Sequence, residues 1–215
     1  MKYYKLHLIR HGLTAGNLEG RYVGSGTDLP LCEEGRADLL QLKQQFDYPQ
    51  VGLVFTSPLL RAKETAEILY PGVRTIALQD LREMGFGVFE NRPITELAKD
   101  PAFAAWMDPT SETVPEGAES RQAFAERSGG MLMKLFEFML KTHTEEAACV
   151  THGGVILNML ARHALPAQGL VHKSACNGHC AAFPFGKANF SQHGPVFFVY
   201  NAAFFCDESH IQSPL

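Results

Sequence analysis

The chain has 215 residues, 46% hydrophobic and 20% charged, which suits one large globular domain, or a domain with an insertion, around a sizeable core. Its net charge of −4 and pI near 6.1 leave no basic field for nucleic acid. No stretch reaches the uninterrupted apolar length of a membrane span.

The opening Met1-Lys2-Tyr3-Tyr4-Lys5 lacks the apolar core and small-residue cleavage site of a signal peptide. Five cysteines, an odd number in apolar surroundings, suit a reducing compartment better than a disulfide framework. A cytoplasmic protein is expected.

Residues 3–9 form an apolar run that stops at Arg10-His11, and Gly12 supplies a tight exit turn before Thr14 and Asn17. This pattern predicts a strand with two basic residues at its end, where open α/β sheets hold ligands. A loop rich in Gly, Asp and Pro spans 18–31, and 33–46 reads as a helix with Leu39, Leu40, Leu42 and Phe46 available for its inner face. Cys32 stands where a hydroxyl would cap that helix best.

Residues 51–56 predict a buried strand. Ser57-Pro58 then reads as an N-cap with proline in the first helical position, opening a helix that runs through Leu69. Arg61 lies in its first turn, beside the positive end of the helix, an arrangement that favours an anion. A short strand is expected over 73–78, followed by Leu81-Arg82-Glu83-Met84.

From 85 to about 120 glycines and prolines loosen the pattern, with helical pieces near 94–99 and 102–107. This segment reads as an insertion over the sheet edge, a lid. A long helix over 121–142 returns to the body. Residues 147–151 predict a further buried strand that ends at His152-Gly153-Gly154 and opens a helix over 155–163. Residues 180–185 and 196–200 read as two closing strands, a hairpin-like pair. Strands alternating with helices predict an α/β fold, a three-layer αβα sandwich with a mainly parallel mixed sheet and a small, partly helical lid, within one domain over 1–215.

Three strand-to-helix junctions carry basic residues, Arg10-His11, Arg61 and His152, and a fourth carries the carboxylate Glu83. Right-handed crossovers place the carboxyl ends of parallel strands on one edge, so these residues are expected to share a cleft. Two arginines, two histidines and helix N-termini make a pocket for a phosphoryl group, which the planar guanidinium binds in a bidentate way. One neutral histidine can then act as nucleophile and form a covalent phosphoryl intermediate. Glu83 supplies the acid for the leaving alcohol and later the base for water.

Arg10-His11-Gly12 with Thr14 and Asn17 resembles the signature of the histidine phosphatase superfamily, also called phosphoglycerate-mutase-like. The likeness continues through Gly24, Asp28-Leu29-Pro30-Leu31, Glu34-Gly35-Arg36, Thr56-Ser57-Pro58, Arg61, Thr65-Ala66, Leu81-Arg82-Glu83, Glu119-Ser120 and Thr151-His152-Gly153-Gly154. The resemblance implies His11 as phosphoryl-accepting nucleophile and Glu83 as proton donor. It implies Arg10, Arg61 and His152 as phosphate clamps, with Thr14, Asn17, Gly24 and Gly153 on the substrate side, and no metal or organic cofactor. The implied partner is a small-molecule phosphate ester.

The mutase branch carries a bulky motif after its catalytic histidine, a basic residue just after the carboxylate and a longer insertion. Leu13-Thr14-Ala15-Gly16 and Met84 depart from that pattern, so hydrolysis is expected, with a phosphoglycerate mutase as the alternative. Phe89-Glu90-Asn91 stands where the phosphatases usually have an aromatic-Glu-Gly turn. Family members of similar length include phosphatases of α-ribazole phosphate, which makes α-ribazole 5'-phosphate the candidate substrate. Met84, Phe86, Val88, Phe89 and Trp106 suggest an apolar or aromatic leaving group, although packing of Trp106, Phe103 and Met107 onto the body is the simpler reading of those three.

Residues 172–180 hold two His and two Cys, but His179 and Cys180 are adjacent and the spacing is not that of a zinc knuckle. The same resemblance places a substrate-side Asn in this loop, matching Asn177. A catalytically silent module that senses a phosphorylated ligand would have lost the nucleophile or the acid, and this chain keeps both.

Overall fold

The computed structural model describes residues 2–108, 110–163, 179–180, 197–198 and 201–206. The chain runs β1 (Lys2–Arg10), α1 (Ala15–Leu18), α2 (Glu33–Gln45), β2 (Leu53–Thr56), α3 (Leu60–Leu69) and β3 (Arg74–Ala77). Two 3-10 turns, Gln79–Leu81 and Gly87–Phe89, precede α4 (Ile94–Leu97), α5 (Pro101–Met107) and α6 (Arg121–Lys141). There follow β4 (Glu146–Thr151), α7 (Gly153–His163), β5 (His179–Cys180), β6 (Phe197–Phe198) and β7 (Asn201–Cys206). No helix among the described residues is long and apolar enough to cross a membrane.

Four parallel strands, in the order β3-β2-β4-β1, form the body of the sheet. Their apolar residues alternate between two faces, as a pleated strand requires. Leu6, Leu8, Leu53, Phe55, Ala147 and Cys149 face one core with α6 and α7. Ile9, Val54, Ala148 and Val150 face a second core with α2 and α3. A sheet buried on both faces explains the near-continuous apolar runs of β2 and β4. Three layers result, as the alternation of strands and helices predicts. Met84, Phe86, Phe89, Leu97 and Trp106 extend the α6/α7 core into residues 85–120.

The free edge of β1 is shared. β7 pairs antiparallel with Lys2 to His7, and β5 pairs antiparallel at Ile9. The expected closing hairpin is corrected here, because β5 and β6 run parallel, with His179 beside Phe197. The longer antiparallel partner of β1 is β7, whose Asn-Ala-Ala start carries no β-branched residue to announce a strand. Residues 172–178, with Asn177 and most of the His/Cys run, lie outside the described residues, as do 181–185 and 199–200.

Two helix starts also differ from expectation. Cys32 does cap α2, its Sγ accepting the Gly35 N–H at 3.3 Å. Ser57 does not cap α3, which begins at Leu60. Its Oγ accepts only the Leu59 N–H, at 3.3 Å, and the Leu60 N–H is taken by Asp28 Oδ1 at 2.7 Å from a distant loop.

Gly35, in the first turn of α2, lets that helix press on the loop after His11. A Cβ there would collide with the backbone carbonyl and amide of Leu13. Gly35→Ala gains helix propensity of under about 1 kcal/mol but overpacks against rigid backbone at about 1–3 kcal/mol. A net loss on the order of 1 kcal/mol is expected in urea unfolding, and a more stable variant would contradict this packing.

Candidate active site

The site is built by strand ends in register. β1 and β4 place Arg10 beside Thr151, and β2 joins through Thr56 beside Val150. The chain leaving each strand keeps that ladder for one further bond: the His11 N–H donates to Thr151 O at 2.9 Å and the Ser57 N–H to Val150 O at 3.0 Å. His11 and His152 therefore emerge side by side, with ring centroids 5.1 Å apart.

His11 is buried, and its Nδ1 lies 2.7 Å from the carbonyl of Gly12. A carbonyl only accepts, so Nδ1 carries the proton and Nε2 keeps a lone pair in the neutral ring. Burial, with Arg61 and Arg10 nearby, holds this imidazole well below the usual 6.5. The Gly12 N–H donates to Thr65 Oγ1 at 3.0 Å, and Thr65 Oγ1 donates to Arg61 O at 2.6 Å. The loop after β1 is thus tied to the helix that carries Arg61.

His152 is fully buried, and its Nε2 lies 2.7 Å from Ser57 Oγ. Burial, followed by His11 and the arginines, keeps it neutral as well. Ser57 already accepts the Leu59 N–H, and its own proton has one acceptor among the described contacts, His152 Nε2. Donation from Ser57 to Nε2 leaves the His152 proton on Nδ1, while donation from Nε2 to Ser57 leaves Nδ1 bare. Nδ1 is a buried atom without a hydrogen-bond partner among the described residues.

Arg61 is 1% exposed, and its guanidinium donates to two carbonyls, Thr27 O at 3.0 Å and Gly24 O at 2.9 Å. Its Nε is buried without a partner among the described residues. Glu90 builds the loop that presents those carbonyls. Its carboxylate accepts the N–H groups of Gly24, Gly26 and Phe86 and the hydroxyl of Thr27, at 2.9–3.0 Å. Asn91, the departure from the family turn, sits at φ 58°, a left-handed conformation that Asn adopts more readily than most residues.

Glu83 is half-buried. Its Oε1 accepts the Met84 N–H at 3.0 Å, and its Oε2 accepts the Gly154 N–H at 3.1 Å, at the start of α7. Desolvation raises its pKa above 4.5, against the pull of those two N–H groups, Arg10 and Arg61. The five residues of the four junctions thus lie close enough to act on one another electrostatically.

The remaining expected residues are placed as follows. Thr14 and Asn17 form the capping box of α1, with Thr14 Oγ1 2.9 Å from Asn17 Oδ1. The Gly24 N–H is committed to Glu90 and its carbonyl to Arg61, so Gly24 locates the guanidinium. Gly153 opens α7 and is buried. The suggested apolar wall is corrected, because Met84, Phe86, Phe89 and Trp106 are buried in the core and Val88 points outward. Aromatic rings pack there against one another before they can line a pocket. Tyr22 and Phe103 are half-buried aromatics of this region, Tyr22 stacked on Phe86 at 4.1 Å. The sequence names Ser57, Thr65 and Glu90 without their partners, His152, Gly12 and the Gly24 loop, and gives no sign of Arg127. Their partners are up to about a hundred residues away, so no local pattern announces them. No group of three or more His, Cys, Asp or Glu able to hold a metal occurs among the described residues.

The family model of the histidine phosphatase superfamily (branch 1) matches residues 6–181. An adenosylcobalamin/alpha-ribazole phosphatase of Escherichia coli (strain K12) is 32% identical over 174 residues, 78% of this chain and 83% of the relative. Among solved structures, the alpha-ribazole phosphatase from Shigella flexneri matches with a TM-score of 0.70 at 30% identity, covering 81% of this chain and 87% of the other. A phosphoglycerate mutase from Thermus thermophilus matches at 0.55 and 38% identity, covering 73% and 82%.

The two depressed histidines make stability depend on pH. Below 6.5 the unfolded chain protonates both rings while the folded chain does not, so stability falls as pH drops, by up to about 2.7 kcal/mol per unit for the pair. Glu83 acts in the opposite sense above 4.5, where the folded chain holds a proton that the unfolded chain has lost. In urea unfolding between pH 7.5 and 5.5, His152→Gln is expected to flatten the dependence by up to about 1.4 kcal/mol per unit. An unchanged slope would show that His152 titrates normally.

Proposed function

The chain belongs to the histidine phosphatase superfamily, and on that premise we propose a phosphomonoester hydrolase that works through a phosphohistidine on His11. The observation that carries this reading is the Nδ1–H bond to Gly12 O in a ring kept neutral by burial, which leaves Nε2 free to attack phosphorus.

In this reading Arg10, Arg61 and the His152 Nδ1–H hold the phosphoryl oxygens, and Asn17 and Thr14 support the loop between them. Nε2 of His11 forms a bond to phosphorus as the ester P–O bond breaks. The raised pKa of Glu83 keeps a proton available for the departing alkoxide oxygen. The resulting carboxylate then takes a proton from water, whose oxygen displaces His11 and releases inorganic phosphate. Residues 85–120 act as a lid over the leaving-group side, within a single domain that functions in the cytoplasm.

The named relatives support α-ribazole 5'-phosphate as the first substrate to test. The likeness to a phosphoglycerate mutase favours a second reading, phosphoryl transfer between phosphoglycerates. Against it stands Met84, a buried apolar side chain directly after Glu83, where a cation for the substrate carboxylate would be needed. Hydrolysis unaffected by added bisphosphoglycerate would separate the two.

His11→Ala is expected to lower turnover by about four orders of magnitude or more, since a missing nucleophile removes the covalent route. Rapid quench of the native enzyme with 32P-labelled ester should trap acid-labile phosphate on the protein, and the variant should trap none. Label retained by the variant would move the nucleophile elsewhere.

A further inference from the structure

Glu119-Ser120 belongs to the family-like pattern yet has no place in the chemistry above. Ser120 caps α6, accepting the Ala123 N–H at 3.1 Å. Glu119 does something else. Its carboxylate accepts Arg127 Nε–H at 2.8 Å and Arg127 Nη2–H at 2.6 Å, a bidentate pair in which both side chains are largely buried.

The remaining Arg127 donors all reach the backbone that leads to Glu83. Nη1 donates to Asp80 O at 3.0 Å and to Arg82 O at 2.8 Å, and Nη2 donates to Glu83 O at 3.2 Å. All five guanidinium N–H groups are therefore in use. The carbonyl skipped by Arg127, Leu81 O, accepts Thr151 Oγ1 at 2.6 Å. Four successive carbonyls, 80 to 83, are thus fixed by side chains from α6 and β4. Beyond them the Glu119 N–H donates to Gly85 O at 2.9 Å, so one unit holds the segment on both sides of Glu83.

We propose that Arg127, oriented by Glu119, is the positioning residue for the Glu83 carboxyl. The inference rests on the reading of Glu83 as the acid for the leaving group. Glu83 sits outside regular secondary structure, two residues past a 3-10 turn. The Met84 and Gly154 N–H groups hold its carboxyl, and Arg127 fixes the backbone from which that carboxyl projects. Proton transfer requires the acid within hydrogen-bond reach of the leaving oxygen, and small misplacement is costly. Lysine offers three donors on a flexible stem without a planar fork and cannot span three carbonyls and both oxygens of a carboxylate at once.

The test measures kcat/KM for aryl phosphates of graded leaving-group pKa, from p-nitrophenyl phosphate, whose anion leaves without help, to phenyl phosphate, whose phenol has a pKa of about 10. Thermal melts first show which variants fold. Arg127→Lys is expected to lose about tenfold on phenyl phosphate and no more than about threefold on p-nitrophenyl phosphate, a fraction of what general acid catalysis contributes. Glu83→Gln should show the same pattern more strongly. Glu119→Gln, which keeps the guanidinium but loosens its pair, should show it more weakly and serves where Arg127→Lys does not fold. Uniform losses, or none, in the Arg127 or Glu119 variants beside a graded loss in Glu83→Gln overturn the proposal and leave the role of Glu83 standing. A flat Glu83→Gln series overturns both.

Discussion

Arg61 is a guanidinium buried to 1% exposure whose hydrogen bonds go to carbonyls, not to a carboxylate. A buried charge without a counter-ion is costly unless its donors are satisfied and its neighbours adjust their protonation. Much of the site follows from that constraint. Nearby titratable groups shift so that little more positive charge is added: both histidines are held neutral, the larger cause in each being burial itself. Glu83 and Asp28 favour the charged form of Arg61, followed by Glu90, yet none of them forms an ion pair with it among the described contacts. A carboxylate locked onto Arg61 would compete with a phosphate oxygen for the same fork. Carbonyl acceptors hold the group in place and leave its charge uncancelled.

Those carbonyls must themselves be held, and Glu90 does this. Four donors from two separate loops converge on one carboxylate, so the segment around Gly24 and the segment around Phe86 move as one piece. Gly24 has no room for a side chain, since a Cβ would strike Met84 O and the Phe86 ring. The turn that brings Glu90 into place ends on Asn91 at positive φ, tolerated because a short polar side chain is less strained there than a β-branched one.

The body of the sheet and the five junction residues were legible in the sequence because each comes from one local signal. An apolar run ends, a basic or acidic residue follows, and a helix begins. Parallel topology then brings the ends together without further information. What could not be read were side chains whose meaning lies in their partner. Ser57 looks like a helix cap and is instead the neighbour of His152. Arg127 looks like an ordinary polar residue of a long helix and, paired with Glu119, grips the Glu83 segment. The apolar residues of 85–120 offered a wall or a core, and burial among aromatic neighbours decides for core. The closing strands at Cys180 and Phe197-Phe198 lie within the expected runs, and what the sequence did not carry is their pairing: β5 runs parallel to β6, and β7 lies along β1.

The connection from Gly12 through Thr65 to Arg61 O joins the loop after His11 to the helix that carries Arg61. Asp28 joins the same helix from outside, capping Leu60, and Glu64 holds the Leu31 N–H at 2.8 Å. His11 and Arg61 are thereby located by contacts internal to the protein, before any ester arrives. Catalytic power in a site of fixed dipoles comes from avoiding reorganisation as charge develops, so this ordering belongs to the chemistry as much as to the fold. It also separates two kinds of constraint. The phosphate side is built from strand ends and buried hydrogen bonds that tolerate little change. Under the function proposed above, the leaving-group side is less constrained: Tyr22 is half-buried and stacks on Phe86, outside the sheet and away from the bonds that hold His11.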